Sequence, residues 1–156
     1  RSLYFSDLAY PFVENAFPDL IDFYGANDVA PPDAMQGYAP QTVATDVMTT
    51  SLQTVLGRNT ATIEYPHDPL NGVINNNWAI PIAVGGGATA QLVGDVQLCG
   101  NANCSMPGGI QADVPLLVTY QDPSGGALVY TSFHNERQAA LNMDMELILR
   151  FLIFQL

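Results

Sequence analysis

Five short apolar runs follow one another between residues 59 and 132, and they most constrain what the chain can fold into. Each run is bounded by Gly, Pro, Asn or Asp. Runs of this length and composition predict β-strands. We place these strands at residues 59–65, 78–84, 88–98, 114–120 and 127–132. The sequence Asp-Pro-Ser-Gly-Gly at 122–126 predicts that the last two strands form a hairpin.

Helical patterns flank the predicted strands. A buried strand at 2–6 precedes a helix that Ser6 or Asp7 caps, and a second helix spans 46–56 and stops at Gly57. The first helix has an apolar face, formed by Leu8, Phe12, Val13 and Ala16. A third helix, at 136–154, has two apolar stripes, Leu141, Met145, Ile148, Leu149 and Leu152 on one side and Leu147, Phe151 and Phe154 on the other.

This order of elements predicts an α/β fold. We expect a Rossmann- or flavodoxin-like layered sheet in which residues 36–112 form a β-rich insertion, with α+β as the alternative. Residues 26–40 hold three prolines and predict a loop. The chain is expected to be a single domain over residues 1–156, or the C-terminal part of a longer domain.

The charge balance excludes whole classes of partner. The chain has fifteen acidic residues, four arginines and no lysine, for a net charge of −11. Nucleic acid is therefore not an expected partner, since four scattered arginines cannot neutralise a phosphate backbone. We also expect no membrane span, because no run of about 18 apolar residues exists.

The two cysteines, Cys99 and Cys104, enclose a four-residue loop of Gly, Asn and Ala. Such a loop can bring its ends within disulfide reach, and a pair of free thiols is the alternative. A disulfide together with the acidic, lysine-free composition favours an extracellular or cell-surface location. Asn103 also begins an Asn-Cys-Ser glycosylation sequon.

One local pattern suggests chemistry. An apolar strand ends at His134, and Glu136 follows just before the last helix. A carboxylate beside a histidine can orient the imidazole and stabilise its charged form, as a general base requires. Ser6 lies at a strand-to-helix turn, where backbone N–H groups and the helix dipole favour a nucleophile and an oxyanion.

Together these motifs resemble the class I glutamine amidotransferase-like fold, which includes trehalose-utilisation-type domains. Phe133, His134 and Glu136 match the family's Phe-His-x-Glu motif, and the strand–helix junction at Ser6 is similar to its nucleophile elbow. The resemblance covers about residues 1–25 and 113–156. It implies Ser6 as nucleophile, His134 as base and Glu136 as the residue that orients His134. The family's glycines around the elbow are replaced here by Phe5 and Asp7.

Three functions compete on this sequence. The first is a non-catalytic extracellular interaction or structural module on an amidotransferase-like scaffold, which binds a protein partner or self-assembles. The second is a hydrolase or amidotransferase relative that uses Ser6, His134 and Glu136. The third is a carbohydrate- or calcium-binding module, for which Trp78 is a candidate sugar platform and five early aspartates are candidate ligands, namely Asp7, Asp19, Asp22, Asp28 and Asp33. No cofactor is required by any motif, and a calcium site is not specified.

Overall fold

A computed structural model describes residues 2–25, 34–66, 77–134 and 142–155. The strands in these ranges are β1 (Ser2–Ser6), β2 (Ile21–Phe23), β3 (Gly37–Tyr38), β4 (Gln41–Val47), β5 (Thr60–Tyr65), β6 (Asn77–Trp78), β7 (Pro81–Val84), β8 (Thr89–Cys99), β9 (Pro107–Gln121) and β10 (Ala127–Thr131). The helices are a 3-10 helix (Asp7–Ala9), α1 (Tyr10–Ala16), α2 (Thr50–Leu56) and α3 (Met143–Gln155).

A curled sheet dominates the structure, and its first four strands run in the order β1, β10, β9, β8. From β8 it continues in two directions, through β4 to β5 and through β3 to β6. β1 and β10 pair in parallel, whereas the other pairs described in this sheet are antiparallel. β2 and β7 form a separate two-stranded sheet.

Apolar residues cover both faces of the sheet. Along β10, Leu128 and Tyr130 join one buried cluster and Val129 joins the other, as the alternation of side chains on a strand requires. The face of Val129 packs against buried residues of α2 and α3. The face of Tyr130 packs against α1 and β2. The sheet therefore carries a core on each side.

The prediction of a mixed α/β protein is confirmed. The Rossmann- or flavodoxin-like layering is not confirmed, because parallel pairing is seen at β1 and β10 while the long β8–β9 pair is antiparallel. Residues 36–112, predicted as an insertion, supply β4, β5 and β8 to the same sheet as β10. Four of the five strands predicted between 59 and 132 and the hairpin at 122–126 are present, with β9 starting earlier, at Pro107. The strand predicted over 78–84 is wrong as a single element, because the chain divides there into β6 and β7, which pair in different sheets. Among the described helices, none has the length and apolar character that crossing a membrane requires.

The prediction for the first 25 residues is wrong in three respects. β1 is an exposed edge strand rather than a buried one. The buried side of α1 carries Tyr10 and Val13, whereas Leu8 and Phe12 are 64% and 70% exposed. A 3-10 turn over 7–9 changes the residue period just before α1, which explains the shifted face. Residues 21–23 form β2 instead of extending the helical pattern.

The other two helices also begin later than predicted. Asp46 belongs to β4, and α2 starts at Thr50, while the stop at Gly57 is confirmed by its left-handed φ of 70°. α3 starts at Met143, and residues 136–141 lie outside the described part of the chain. Its buried apolar residues are Met145, Ile148, Phe151 and Leu152. Phe154 is 87% exposed, so the second predicted stripe is wrong at that position.

The disulfide between Cys99 and Cys104 is confirmed. It closes the tip of the β8–β9 hairpin, and its two sulfur atoms lie 3.6 and 3.8 Å from the carbonyl oxygen of Gly37. Gly37 in turn lies directly against the indole of Trp78, because a Cβ atom at position 37 would come within 2.3 Å of the ring. Asn103, the candidate glycosylation residue, is exposed in this loop.

Asp144 fastens the start of α3 to β5. Its Oδ2 accepts a hydrogen bond from the backbone N–H of Thr62 at 2.8 Å, and its Oδ1 forms an ion pair with Arg58. Asn142 caps the same helix by accepting the N–H of Met145 at 2.9 Å. Asp144 is buried, so loss of its carboxylate would leave the Thr62 donor without that acceptor.

We predict that Asp144→Ala lowers the free energy of unfolding by about 1–3 kcal/mol, because a half-buried backbone donor loses its acceptor. Urea unfolding followed by circular dichroism measures the change. Glu146→Ala is the matched control, since Glu146 lies in the same turn but forms an exposed i,i+4 pair with Arg150. We expect the control to change stability by no more than about 0.5 kcal/mol. Equal losses in the two variants would contradict the proposed role of Asp144.

Candidate functional site

The two motifs selected from the sequence meet at one edge of the sheet. β1 and β10 run parallel with Ser6 opposite Thr131, so the chain leaves both strands at the same end. Beyond those ends, Oδ2 of Asp7 lies 3.1 Å from Nε2 of His134. The side chain of Asp7 is 7% exposed and that of His134 is 52% exposed. A buried carboxylate therefore meets an imidazole that solvent can reach.

Two contacts hold Asp7 in addition to the one with His134. Its Oδ1 accepts the backbone N–H of Ala79 at 2.8 Å, and its main-chain oxygen accepts the hydroxyl of Tyr130 at 3.3 Å. Its backbone is in the left-handed region, with a φ of 36°. Such a conformation is uncommon for a residue with a Cβ atom, although aspartate adopts it more readily than most. The turn between β1 and α1 is thus fixed by contacts from other elements.

Hydroxyl groups fix the segment that leads from β10 to His134. Ser132 Oγ lies 3.2 Å from the carbonyl oxygen of Leu116 and 2.9 Å from the hydroxyl of Tyr65. A carbonyl can only accept, so Ser132 donates to Leu116 and the tyrosine donates to Ser132. The result is a directed chain of two hydrogen bonds in a buried position.

A second chain of the same kind starts on β1. Thr131 Oγ1 donates to the carbonyl oxygen of Phe133 at 2.8 Å, and the hydroxyl of Tyr4 lies 2.9 Å from Thr131 Oγ1. By the same reasoning Tyr4 donates to Thr131. The residues just before His134 are therefore held by tyrosines from β1 and β5. The backbone that carries the imidazole is preorganised as a result.

Two of these tyrosines are kept neutral by their surroundings. Burial raises the pKa of Tyr65 far above its usual value, and the negative charge of Asp7 adds to the effect. Burial likewise raises the pKa of Tyr130, and the Asp7 charge again contributes. Both phenols consequently serve as hydrogen-bond donors throughout the range in which proteins work.

The predicted site residues are placed as follows. His134 lies at the site and pairs with a carboxylate, but the partner seen here is Asp7. Glu136 lies outside the described residues, so its predicted role is still a prediction. Ser6 ends β1 next to Asp7, is half-buried and forms no capping hydrogen bond; its role as nucleophile is likewise still a prediction. Sequence reasoning treated Asp7 as a helix cap, since only the β1–β10 pairing brings it to His134.

The features proposed for sugar and metal binding are placed differently. Trp78 is buried, with its ring stacked on Tyr65 at 4.1 Å between centroids, so it does not offer a face to a sugar. Within the described ranges no three His, Cys, Asp or Glu side chains are grouped as a metal site requires. Asp28 and Asp33 lie outside those ranges. Calcium and carbohydrate binding stay predictions from the sequence.

Searches for a matching family model, a similar curated protein and a similar solved structure found no match to this chain. The amidotransferase-like fold therefore stays a prediction, and the site is interpreted from its own geometry.

The raised pKa values give a pH prediction. An unfolded chain ionises its tyrosines near pH 10, whereas the folded chain keeps Tyr65 and Tyr130 protonated beyond that pH. Their contribution to stability is complete below about pH 10 and is lost as the pH rises above it. We expect Tyr65→Phe to reduce the alkaline loss of stability by up to about 1.4 kcal/mol per pH unit. Urea unfolding at pH 8, 10 and 11 measures the slope, and an unchanged slope would contradict the burial of an ionisable phenol.

Proposed function

We propose that this chain is a non-catalytic extracellular or cell-surface interaction module that associates with a second copy of itself. The observation that carries the proposal is a set of exposed apolar side chains on β1, the 3-10 helix and α1. Three large apolar side chains over ten residues are 48–70% exposed, namely Leu3, Leu8 and Phe12. We call these three residues the β1–α1 surface. Large apolar side chains exposed this close together mark a site of protein–protein interaction.

A depression next to Phe12 gives this surface a shape. It has a volume of about 420 Å³ and is lined by Pro11, Phe12, Asn15 and Ala16. The volume falls within the range of pockets that accept apolar groups. Asn15 donates to the carbonyl oxygen of Pro11 at 2.6 Å, so one of its two amide N–H groups is satisfied within the helix. An apolar side chain from a partner could therefore enter the depression without breaking the hydrogen bond of this Asn15 N–H group.

The edge strand β1 adds a second reason for association. Its five residues, Ser2–Ser6, include no charge and no proline, which are the usual means of preventing strand-to-strand contact. The sequence Ser-Leu-Tyr-Phe-Ser also places small polar residues at both ends and large residues between them. An antiparallel pair centred on Tyr4 would set Leu3 opposite Phe5 of the second copy, so the surface is self-complementary.

The location and the scaffold are parts of the same proposal. The disulfide, the absence of lysine and the net charge of −11 support an extracellular or cell-surface location. The parallel β1–β10 pair, with helical residues after β1 and His134 after β10, supports an amidotransferase-like scaffold. The net charge also opposes association of two copies, so salt should strengthen the contact.

We predict that the protein forms a dimer whose dissociation constant rises by at least about tenfold in the double variant Leu8→Ser/Phe12→Ser, because two apolar side chains no longer leave water. Sedimentation equilibrium over a range of protein concentrations measures it. Raising the salt concentration from about 50 to about 300 mM should tighten the wild-type dimer, because salt screens the repulsion between like charges.

Ile110→Ser is the matched control, since Ile110 is 71% exposed on β9 and lies outside the β1–α1 surface. It should dimerise as the wild type does. A wild-type chain that remains monomeric at every concentration would refute self-association, and equal weakening by the control would show that the β1–α1 surface is not the contact.

One observation favours a second candidate, a hydrolase or amidotransferase relative. A buried carboxylate and a half-exposed imidazole stand 3.1 Å apart beside Ser6, at the ends of parallel strands. In this candidate His134 acts as general base and Ser6 as nucleophile, while Asp7 contributes the orienting carboxylate assigned to Glu136 by the resemblance.

For this candidate we predict labelling by a fluorophosphonate probe. The bond from Ser6 Oγ to phosphorus forms, fluoride leaves, and His134 takes the serine proton. Labelling measured by intact mass should disappear in Ser6→Ala and fall at least about a hundredfold in His134→Gln, in line with loss of a general base. Ser51→Ala is the control, because Ser51 is an exposed serine on α2. No labelling of the folded wild type would refute the candidate.

A further inference from the structure

The disulfide between Cys99 and Cys104 lies at one end of a continuous series of contacts that reaches the end of β10. We propose that this bond is a redox switch. Its reduction by a dithiol loosens the stacked pair of Trp78 and Tyr65 and, through that pair, the backbone at Ser132. The proposal goes beyond the β1–α1 surface, because none of these residues belongs to that surface.

The bond lies where a reductant can reach it. Cys99 is half-buried and Cys104 is buried, whereas the four residues between them, 100–103, are exposed. Between Asp95 and Asp113 the sequence has no charged side chain. A thiolate is an anion, so it meets no carboxylate from residues 96–112 as it approaches the more exposed cysteine.

Reduction follows the course of thiol–disulfide exchange. A thiolate of the dithiol attacks Sγ of Cys99, the sulfur–sulfur bond breaks, and Cys104 leaves as a thiolate that takes up a proton. The second thiol of the reductant then displaces the Cys99 sulfur, which also takes up a proton, and the reductant becomes a cyclic disulfide. In sum, two electrons and two protons pass from the dithiol to the two cysteines.

The fold is expected to survive this step. A cross-link that encloses four residues removes little freedom from the unfolded chain, so it stabilises less than one that closes a long loop. The hairpin is also held by backbone pairing, because the β8–β9 register continues to Cys99 opposite Pro107. Beyond that pair, the N–H of Gly100 donates to the carbonyl oxygen of Met106 at 2.8 Å. The reduced chain is therefore a second folded state.

Gly37 is the residue through which a change at the sulfur atoms reaches the aromatic pair. Its carbonyl oxygen lies 3.6 Å from Sγ of Cys99 and 3.8 Å from Sγ of Cys104. Two thiols are not bonded to each other, so their sulfur atoms must move apart on reduction. A carbonyl in contact with both must then shift or lose one contact. Gly37 pairs with Leu98 of β8 on one side and with Trp78 of β6 on the other.

Trp78 lies directly against this part of β3. A Cβ atom at position 37 would come within 2.3 Å of the indole ring, so no space separates the ring from Gly37. The indole Nε1–H donates to the carbonyl oxygen of Tyr38, the other residue of β3, at 3.2 Å. The ring stacks on Tyr65 with an interplanar angle of 13°. Both rings are buried, and closely packed groups transmit a displacement to their neighbours.

The hydroxyl of Tyr65 carries the change to the segment that follows β10. It donates to Oγ of Ser132 at 2.9 Å. Ser132 in turn donates to the carbonyl oxygen of Leu116 through its Oγ, at 3.2 Å, and through its backbone N–H, at 3.0 Å. Ser132 is 1% exposed, so water does not readily replace a lost hydrogen bond there. A tilt of the Tyr65 ring therefore weakens the attachment of Ser132.

The test is hydrogen exchange, followed by NMR on the full ¹⁵N-labelled chain before and after reduction with dithiothreitol. Trp78 is the single tryptophan, so its indole N–H signal identifies itself. We expect reduction to speed the exchange of this N–H and of the Ser132 amide at least about tenfold, because both lose protection. The Val47 amide donates to Asn59 at the end of the β4–β5 pair remote from Tyr65, and its rate should not change.

A double variant tests the same step without a reductant. Cys99→Ser/Cys104→Ser should exchange at the rates of the reduced wild type, because its two side chains are no longer joined. Met106→Ser is the matched control, since Met106 is 53% exposed in the same hairpin tip and its replacement leaves the disulfide intact. The control should exchange as the oxidised wild type does. Reoxidation of the reduced wild type should restore the original rates.

Tyr65→Phe separates the two steps of the series. It keeps a ring to stack on Trp78 but has no hydroxyl for Ser132. Reduction of this variant should still speed the exchange of the Trp78 indole N–H at least about tenfold. The Ser132 amide should then respond to reduction by less than about twofold, because its link to the ring is gone.

Three results would overturn the proposal. The first is an unchanged rate at Trp78 after reduction. The second is equal acceleration at Val47, which would show that the bond stabilises the whole chain rather than this series of contacts. The third is unfolding of the reduced chain, since a switch needs two folded states. If a variant does not fold, the oxidised and reduced wild type decide by the same measurement. A chain that stays monomeric would refute self-association without affecting this result.

Discussion

The parallel pairing of β1 with β10 determines what meets at the edge of the sheet. Parallel strands release their chains at the same end, so the residues that follow Ser6 and Thr131 become neighbours although about 125 positions separate them. This pairing is the reason that a carboxylate from the first turn faces an imidazole from the second half of the chain. It also leaves β1 on the outside, where its other edge and the side chains of Leu3 and Tyr4 are exposed. One contact between strands thus creates both the buried pair and the apolar surface.

The described residues around Asp7 accommodate a buried carboxylate without a described arginine beside it. A carboxylate removed from water is costly unless its oxygens are engaged. Here the engagement comes from a backbone N–H and an imidazole, while tyrosine hydroxyls order the surrounding backbone. The two arginines that the structure describes, Arg58 and Arg150, pair with Asp144 and Glu146 elsewhere. Among the described residues, the side chain that contacts the Asp7 carboxylate is therefore the imidazole of His134.

Local features could be predicted from the sequence, and long-range ones could not. The hairpin at 122–126, the stop at Gly57 and the Cys99–Cys104 bond depend on residues close together in the chain, and all three are confirmed. The selection of His134 also depended on local pattern. Its partner required knowledge that β1 and β10 are adjacent and parallel, which no local pattern encodes. The buried faces of α1 and α3 were mispredicted, because periodicity shows only that a helix is amphipathic. It does not show that a 3-10 turn shifts the register of α1, or that the layer packed against α3 ends before Phe154.

The contact between Gly37 and Trp78 has a consequence for tracing the ancestry of this chain. Any side chain at position 37 would overlap the indole, and the ring itself is stacked on Tyr65. The three positions must therefore change together: a bulkier residue at 37 demands a smaller ring at 78, which in turn removes the stacking partner of residue 65. In a diverged sequence, a glycine about 40 positions before a tryptophan, with a tyrosine between them and a pair of cysteines some 20 positions further on, would be a more durable mark of common descent than overall identity.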